Sequence, residues 1–136
     1  MNFKALIVED EMNNAKFLNY LVDSYSPSIE IIGMARDLQE AKKLITKKKP
    51  KIIFLDIELG NNNGFEIFKT INPDDFQIIF TTAHEDYAID AIKVSAVDYL
   101  IKPINIEELV AAVEKAIKNI RKQSNTIQEN IQTNYQ

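Results

Sequence analysis

The segment IIFLDIELGNNNG, residues 52–64, runs from four consecutive apolar residues into Asp56, and then into a loop with two glycines and three adjacent asparagines. An apolar run that is short and unbroken, rather than alternating, reads as a strand buried on both faces. Such strands belong to parallel sheets covered by helices on each side. A carboxylate at the mouth of one is costly unless something compensates for it. Residues 52–55 thus speak for the fold, and Asp56 raises the question of function.

The same pattern repeats outward in both directions. FKALIV (3–8), IEIIGMA (29–35), QIIFTT (77–82) and VDYLI (97–101) are further candidate strands. Between them lie stretches with apolar residues at helical spacing: Ala15, Leu18, Val22 and Tyr25; Leu38, Ala41 and Ile45; Ile67, Phe68 and Ile71 after Gly64; and Ala88, Ala91 and Ile92. A last helix is predicted from about Ile106 to Ile120, striped by Leu109, Val113, Ala116 and Ile120. Five strand–helix repeats predict an α/β fold, a five-stranded parallel sheet flanked by five helices. Right-handed crossovers favour the flavodoxin-like order 2-1-3-4-5. After Arg121 the chain turns Gln- and Asn-rich and loses its apolar period, so 121–136 reads as a polar linker or tail.

Composition narrows the classes. A chain of 136 residues with 46% hydrophobic residues suits one domain with one core. The net charge of -4 argues against non-specific polyanion binding. There is no cysteine and one histidine, His84, which excludes a disulfide framework and argues against structural zinc. No apolar run reaches the ~18 residues of a membrane helix, and no signal peptide is evident, so a cytoplasmic protein is expected.

In open α/β sheets ligands bind beyond the carboxyl ends of the strands. Those ends carry Glu9 and Asp10, Asp56, Thr81 and Thr82, and Lys102 followed by Pro103. Three neighbouring carboxylates do not all stay ionised without a cation. Mg²⁺, which takes one or two carboxylates and shares its other positions with water and phosphate, suits them. A carboxylate nucleophile, a metal, a lysine and a hydroxyl together form a phosphoryl-transfer set.

At these residues the chain resembles a response-regulator receiver domain of two-component systems, over roughly residues 3–120. Residues 84–103 (HEDYAIDAIKVSAVDYLIKP) look most like the LytTR (LytR/AlgR) class. The resemblance implies a receiver domain over 1–120 that accepts a phosphoryl group on Asp56 from a sensor histidine kinase. It implies Mg²⁺ or Mn²⁺ held by Glu9, Asp10, Asp56 and the backbone carbonyl of Glu58, with catalytic roles for Asp56, Thr82 and Lys102. The family's switch residues fall on Thr82 and Tyr99, and the Lys102–Pro103 bond is typically cis. Such a domain is not an enzyme beyond its own phosphoryl transfer and slow dephosphorylation. It switches the face of the fourth helix, fifth strand and fifth helix, where Ile89, Ile92 and Val94 fall, and is expected to form a homodimer on phosphorylation. It would reach DNA and control transcription only through an effector domain, and no membrane contact is expected. Two positions depart from the family pattern, Gly60 where Pro is common and Asn63 where Asp is common. Both are expected to loosen the loop.

Each residue also has a plainer use. Asp10 or Thr82 could cap a helix, Lys102-Pro103 could be a turn, Tyr99 a core aromatic, and the lysines of 47–51 a solvated loop. His84, beside Thr82, suggests a conformational or packing role. Rival functions are a small phosphohydrolase, an unphosphorylated pseudo-receiver that only binds proteins, and a flavodoxin-type cofactor binder. The phosphohydrolase pattern wants Asp where Glu58 stands, and the cofactor binder lacks a phosphate loop after the first strand. The joint placement of acids, hydroxyl and lysine at separate strand ends favours the phosphoacceptor.

Overall fold

A computed structural model describes residues 2–134. Strands β1 (Phe3–Val8), β2 (Ile29–Ala35), β3 (Ile52–Leu55), β4 (Gln77–Thr82) and β5 (Asp98–Ile101) form one sheet in the order β2-β1-β3-β4-β5, every pairing parallel. Helices α1 (Met12–Tyr25), α2 (Leu38–Lys48) and α3 (Ala88–Lys93), with a 3-10 segment at Gly64–Lys69, supply the crossovers, and α4 (Ile106–Asn134) follows the last strand. This is the flavodoxin-like order expected.

The unbroken apolar runs are explained by the two faces of the sheet. Ala5, Ile7, Ile52, Phe54 and Ile79 pack with α1 and α4, through Leu18, Val22, Leu109, Val113 and Ala116. The alternate residues Leu6, Val8, Ile53, Leu55, Ile78 and Phe80 pack with α2, the 3-10 segment and α3, through Ala41, Ile45, Ile67 and Ala91. All four residues of β3 are fully buried, each aliphatic one stabilising the fold by roughly 1.5–3 kcal/mol.

Three elements differ from expectation. The third helix is 3-10 rather than α and stops at Lys69, where Thr70 and Ile71 both donate to the Ile67 carbonyl. Pro73, close downstream, leaves a window too short to repay α-helix nucleation. Helix α3 has only six residues and buries only Ala91, while Ile89 and Ile92 are 69% and 75% exposed. The last helix does not end near Ile120 but continues to Asn134, because no glycine or proline interrupts residues 121–134. Residues 121–126 of it are exposed all round. Gln136 and Tyr135, the end of the expected tail, lie outside the described residues. Among the described residues no helix is long and apolar enough to cross a membrane.

Candidate functional site

Parallel ladders continue one bond past each strand and set the site. Glu9 N–H donates to Ala35 O at 2.9 Å, Asp56 N–H to Val8 O at 3.0 Å, and Lys102 N–H to Thr82 O at 2.7 Å. Backbone pairing thus carries Glu9, Asp56, Thr82 and Lys102 to one edge. Glu9, Asp56 and Thr82 are 4%, 4% and 0% exposed, while Asp10 is exposed. Carboxylate oxygens of Glu9, Asp10 and Asp56 lie within 4.8 Å of one another. They face a cleft of about 270 Å³, whose walls include Glu58, Gly60, Ala83 and Lys102.

Lys102 is the only cation in this cluster. Its Nζ donates to Asp56 Oδ2 at 2.9 Å and to Glu9 Oε1. Asp56 Oδ1 accepts the Glu58 N–H at 3.1 Å, and Glu9 Oε2 accepts the Glu11 N–H at 3.0 Å. Burial raises the Glu9 carboxyl above its ordinary pKa; Lys102 and the Glu11 N–H oppose the rise, and the Asp56 charge adds to it. Burial works against the Lys102 charge, but its bonds to Glu9 and Asp56 outweigh that and hold its pKa above a free lysine's. Three carboxylates against one ammonium leave a formal excess of two negative charges in the cluster. An all-oxygen donor set with excess negative charge fits a hard divalent cation.

The helix-cap alternatives find other occupants. The N-cap of α1 is Glu11, whose side chain accepts from Asn13 N–H, whereas Asp10 Oδ2 accepts the Gly60 N–H at 2.9 Å. Thr82 does not cap α3, which begins after Tyr87; its Oγ1 accepts the His84 N–H at 3.3 Å. Tyr99 is part of an aromatic cluster with Phe80 and donates its hydroxyl to the His84 carbonyl. Burial raises the Tyr99 phenol, opposed by a backbone hydrogen bond at Tyr87 and helped by the nearby charges of Asp86 and Glu85.

The loop after Asp56 has defined pairing and hydrogen bonds. Glu58–Leu59 and Asn62–Asn63 pair as a small antiparallel hairpin. Gly60 turns it at φ +62, a conformation that favours glycine, and its N–H holds Asp10. Asn63 caps the 3-10 segment by accepting the Phe65 N–H at 2.9 Å. The two departures from the family pattern therefore each make a bond or turn. A further contact went unforeseen: His84 Nε2 lies 2.6 Å from Glu58 Oε1, bridging the loops after β3 and β4. The signal available was position alone, each residue standing two past a site residue. The Lys102–Pro103 bond is cis.

The family described as the response regulator receiver domain matches residues 5–114. The sensory transduction protein LytT of Bacillus anthracis is 39% identical over 130 residues, which cover 93% of this chain and 52% of that protein. LytT of Bacillus subtilis (strain 168) is 33% identical over 134 residues, covering 97% and 54%. The chain spans about half the length of these curated relatives. Among solved structures, the signal receiver domain of a putative Luxo repressor protein from Vibrio parahaemolyticus superposes with a TM-score of 0.80 at 28% identity, covering 93% of this chain and 98% of that one. The response regulatory domain of protein mrkE from Klebsiella pneumoniae gives 0.79 at 28% identity, covering 88% and 99%.

Proposed function

The chain belongs to the response-regulator receiver family, and from that membership we propose that it accepts a phosphoryl group on Asp56 from a sensor histidine kinase and converts it into a change of its output face. The observation that carries this reading is Asp56 itself: a buried carboxylate gathered with Glu9 and Asp10 and bonded to Lys102 at the open edge of the sheet. A purely structural aspartate has no need of two further acids beside it. The same set disfavours the alternative of an unphosphorylated pseudo-receiver.

Asp56 would attack the phosphorus of the donor phosphohistidine in line. The new P–O bond forms as the P–N bond breaks, and the electron pair leaves with the donor imidazole. Lys102, already bonded to Asp56, would exchange its carboxylate partner for a phosphoryl oxygen. The Thr82 hydroxyl, which now only accepts from His84, still has its proton to donate to another such oxygen. Glu9, Asp10, Asp56 and the Glu58 carbonyl would hold Mg²⁺ or Mn²⁺. When bound, the cation supplies Lewis-acid stabilisation of the phosphoryl oxygens. Slow hydrolysis of the acyl phosphate would reset the switch.

Downstream, Thr82 and Tyr99 would change the surface formed by α3, β5 and the start of α4, with exposed Ile89 and Ile92 serving homodimerisation. We place this activity in the cytoplasm. We take the receiver to end near residue 120, with 121–136 leading toward an effector that controls transcription.

Two measurements test the reading. Labelling by acetyl phosphate is expected to fall to background in excess chelator and to return with Mg²⁺; unchanged labelling in chelator would remove the metal from the mechanism. Lys102→Ala is expected to retain Mg²⁺ binding, since it removes a competing cation, yet to lose phosphorylation-dependent dimerisation. A wild-type dimerisation response on sedimentation would rule out its switch role.

A further inference from the structure

His84 is bonded through three different groups to three different elements. Its backbone N–H donates to Thr82 Oγ1 at 3.3 Å. Its carbonyl accepts the Tyr99 hydroxyl. Its imidazole Nε2 meets Glu58 Oε1 at 2.6 Å. The Glu58 N–H in turn donates to Asp56 Oδ1 at 3.1 Å. One bonded path therefore links Asp56 to Tyr99, and it does not pass through the Thr82 hydroxyl. It runs from Asp56 through the Glu58 backbone and side chain to the His84 ring, and from the His84 carbonyl to Tyr99.

We propose that His84 is a positioning residue that carries the state of Asp56 to Tyr99 by this path, independently of the Thr82 hydroxyl. The proposal rests on the phosphoacceptor reading of Asp56. Phosphorylation converts a carboxylate that accepts the Glu58 N–H into an acyl phosphate, so the bond that orients Glu58 changes. Glu58 is exposed and its backbone belongs to a two-residue hairpin strand, so its side chain follows the Asp56 oxygen more readily than a packed strand could. His84 begins a segment without regular structure before α3, and its bonds to Glu58, Thr82 and Tyr99 restrain it there. Moving the ring moves the carbonyl that holds Tyr99. A link of this kind typically changes a coupled equilibrium by roughly 2- to 30-fold.

The test uses ring-fluorinated tyrosine, with the Tyr99 resonance assigned from Tyr99→Phe. Acetyl phosphate and Mg²⁺ serve as the phosphodonor mixture, and the response is scaled to the phosphorylated fraction. In His84→Ala the Tyr99 shift is expected to shrink markedly, while Asp56 is labelled as in wild type. His84→Gln, whose amide N–H reaches the Glu58 carboxylate, should restore most of the shift. A full Tyr99 response in His84→Ala, with normal labelling, overturns this inference alone. Equal loss in both variants also overturns it, since that points to packing of the ring rather than its bond. Failure to label Asp56 in every variant overturns the phosphoacceptor reading and takes this inference with it.

Discussion

Asp56→Asn is expected to abolish phosphoryl labelling by acetyl phosphate and Mg²⁺, yet to leave the metal-free protein as stable as wild type or slightly more so. The first effect follows from chemistry: the amide is not a competent nucleophile toward phosphorus, and no other carboxylate of the cluster is bonded to Lys102 at the cleft without also being the partner of Glu11. The second follows from charge. Removing one partner of a buried ion pair usually costs several kcal/mol because it strands the other charge. Here Lys102 keeps Glu9, and the cluster's formal excess falls from two negative charges to one. The Asn carbonyl oxygen can still accept the Glu58 N–H. Wild type should gain stability with divalent cation, about 1.4 kcal/mol at tenfold over the dissociation constant. The variant should gain much less. Label recovered on another residue of Asp56→Asn, or a large loss of its metal-free melting temperature, would refute the assignment.

Gly64→Ala is expected to be the most damaging single-methyl change in the loop. A Cβ at Gly64 would lie 2.2 Å from the Asp56 carbonyl oxygen and 3.2 Å from the Ile57 Cα. Both are backbone atoms, so no side-chain rotation relieves the clash. The Gly64 N–H also donates to Ile57 O at 2.6 Å, which fixes the approach. Overpacking of this kind costs roughly 1–3 kcal/mol or more, and it displaces Asp56, the proposed phosphoacceptor. The loss of labelling should therefore exceed what the loss of folded protein accounts for. Gly60→Ala provides the contrast. Gly60 has φ +62 with nothing within 4 Å of a new Cβ, so its cost is confined to the left-handed backbone, roughly 1–2 kcal/mol. Urea titrations of both variants would give that order; a Gly64→Ala midpoint at or above that of Gly60→Ala would contradict it.

The sheet and its site were legible in the sequence because they rest on strong, local signals. Four-residue runs such as IIFL are buried on both faces, and a buried parallel strand must end where its ladder ends, which places Asp56 and Lys102 at the edge. The helices were less legible where tertiary contacts decide. Ile67, Phe68 and Ile71 have helical spacing, but Pro73 and the tie between Gly64 and Ile57 leave room only for a 3-10 turn. The helical spacing of Ala88, Ala91 and Ile92 points to an amphipathic element, yet Ile92 faces outward. The expectation of looseness at Gly60 and Asn63 rests on residue identity alone, whereas Asn63 makes a local cap to Phe65 and Gly60 a bond to Asp10 fifty residues away, which no local pattern announces. The His84–Glu58 contact joins residues on two different loops, and no periodicity in a single chain announces such a pairing.

Helix α4 gives the molecule a mechanical advantage. Its 29 residues span about 43 Å at a rise of 1.5 Å each. Its buried residues reach Ile117, and beyond Arg121 the backbone runs on for roughly 20 Å to Asn134. A rod packed along its first half amplifies rotation, so a tilt of about 5° where its buried face ends near Ile117 displaces the far end by about 2 Å, a shift comparable with helix movements at allosteric interfaces. The rearrangement proposed at the Asp56 edge could therefore be small. It needs only to turn the fulcrum, and the length of the helix supplies the stroke.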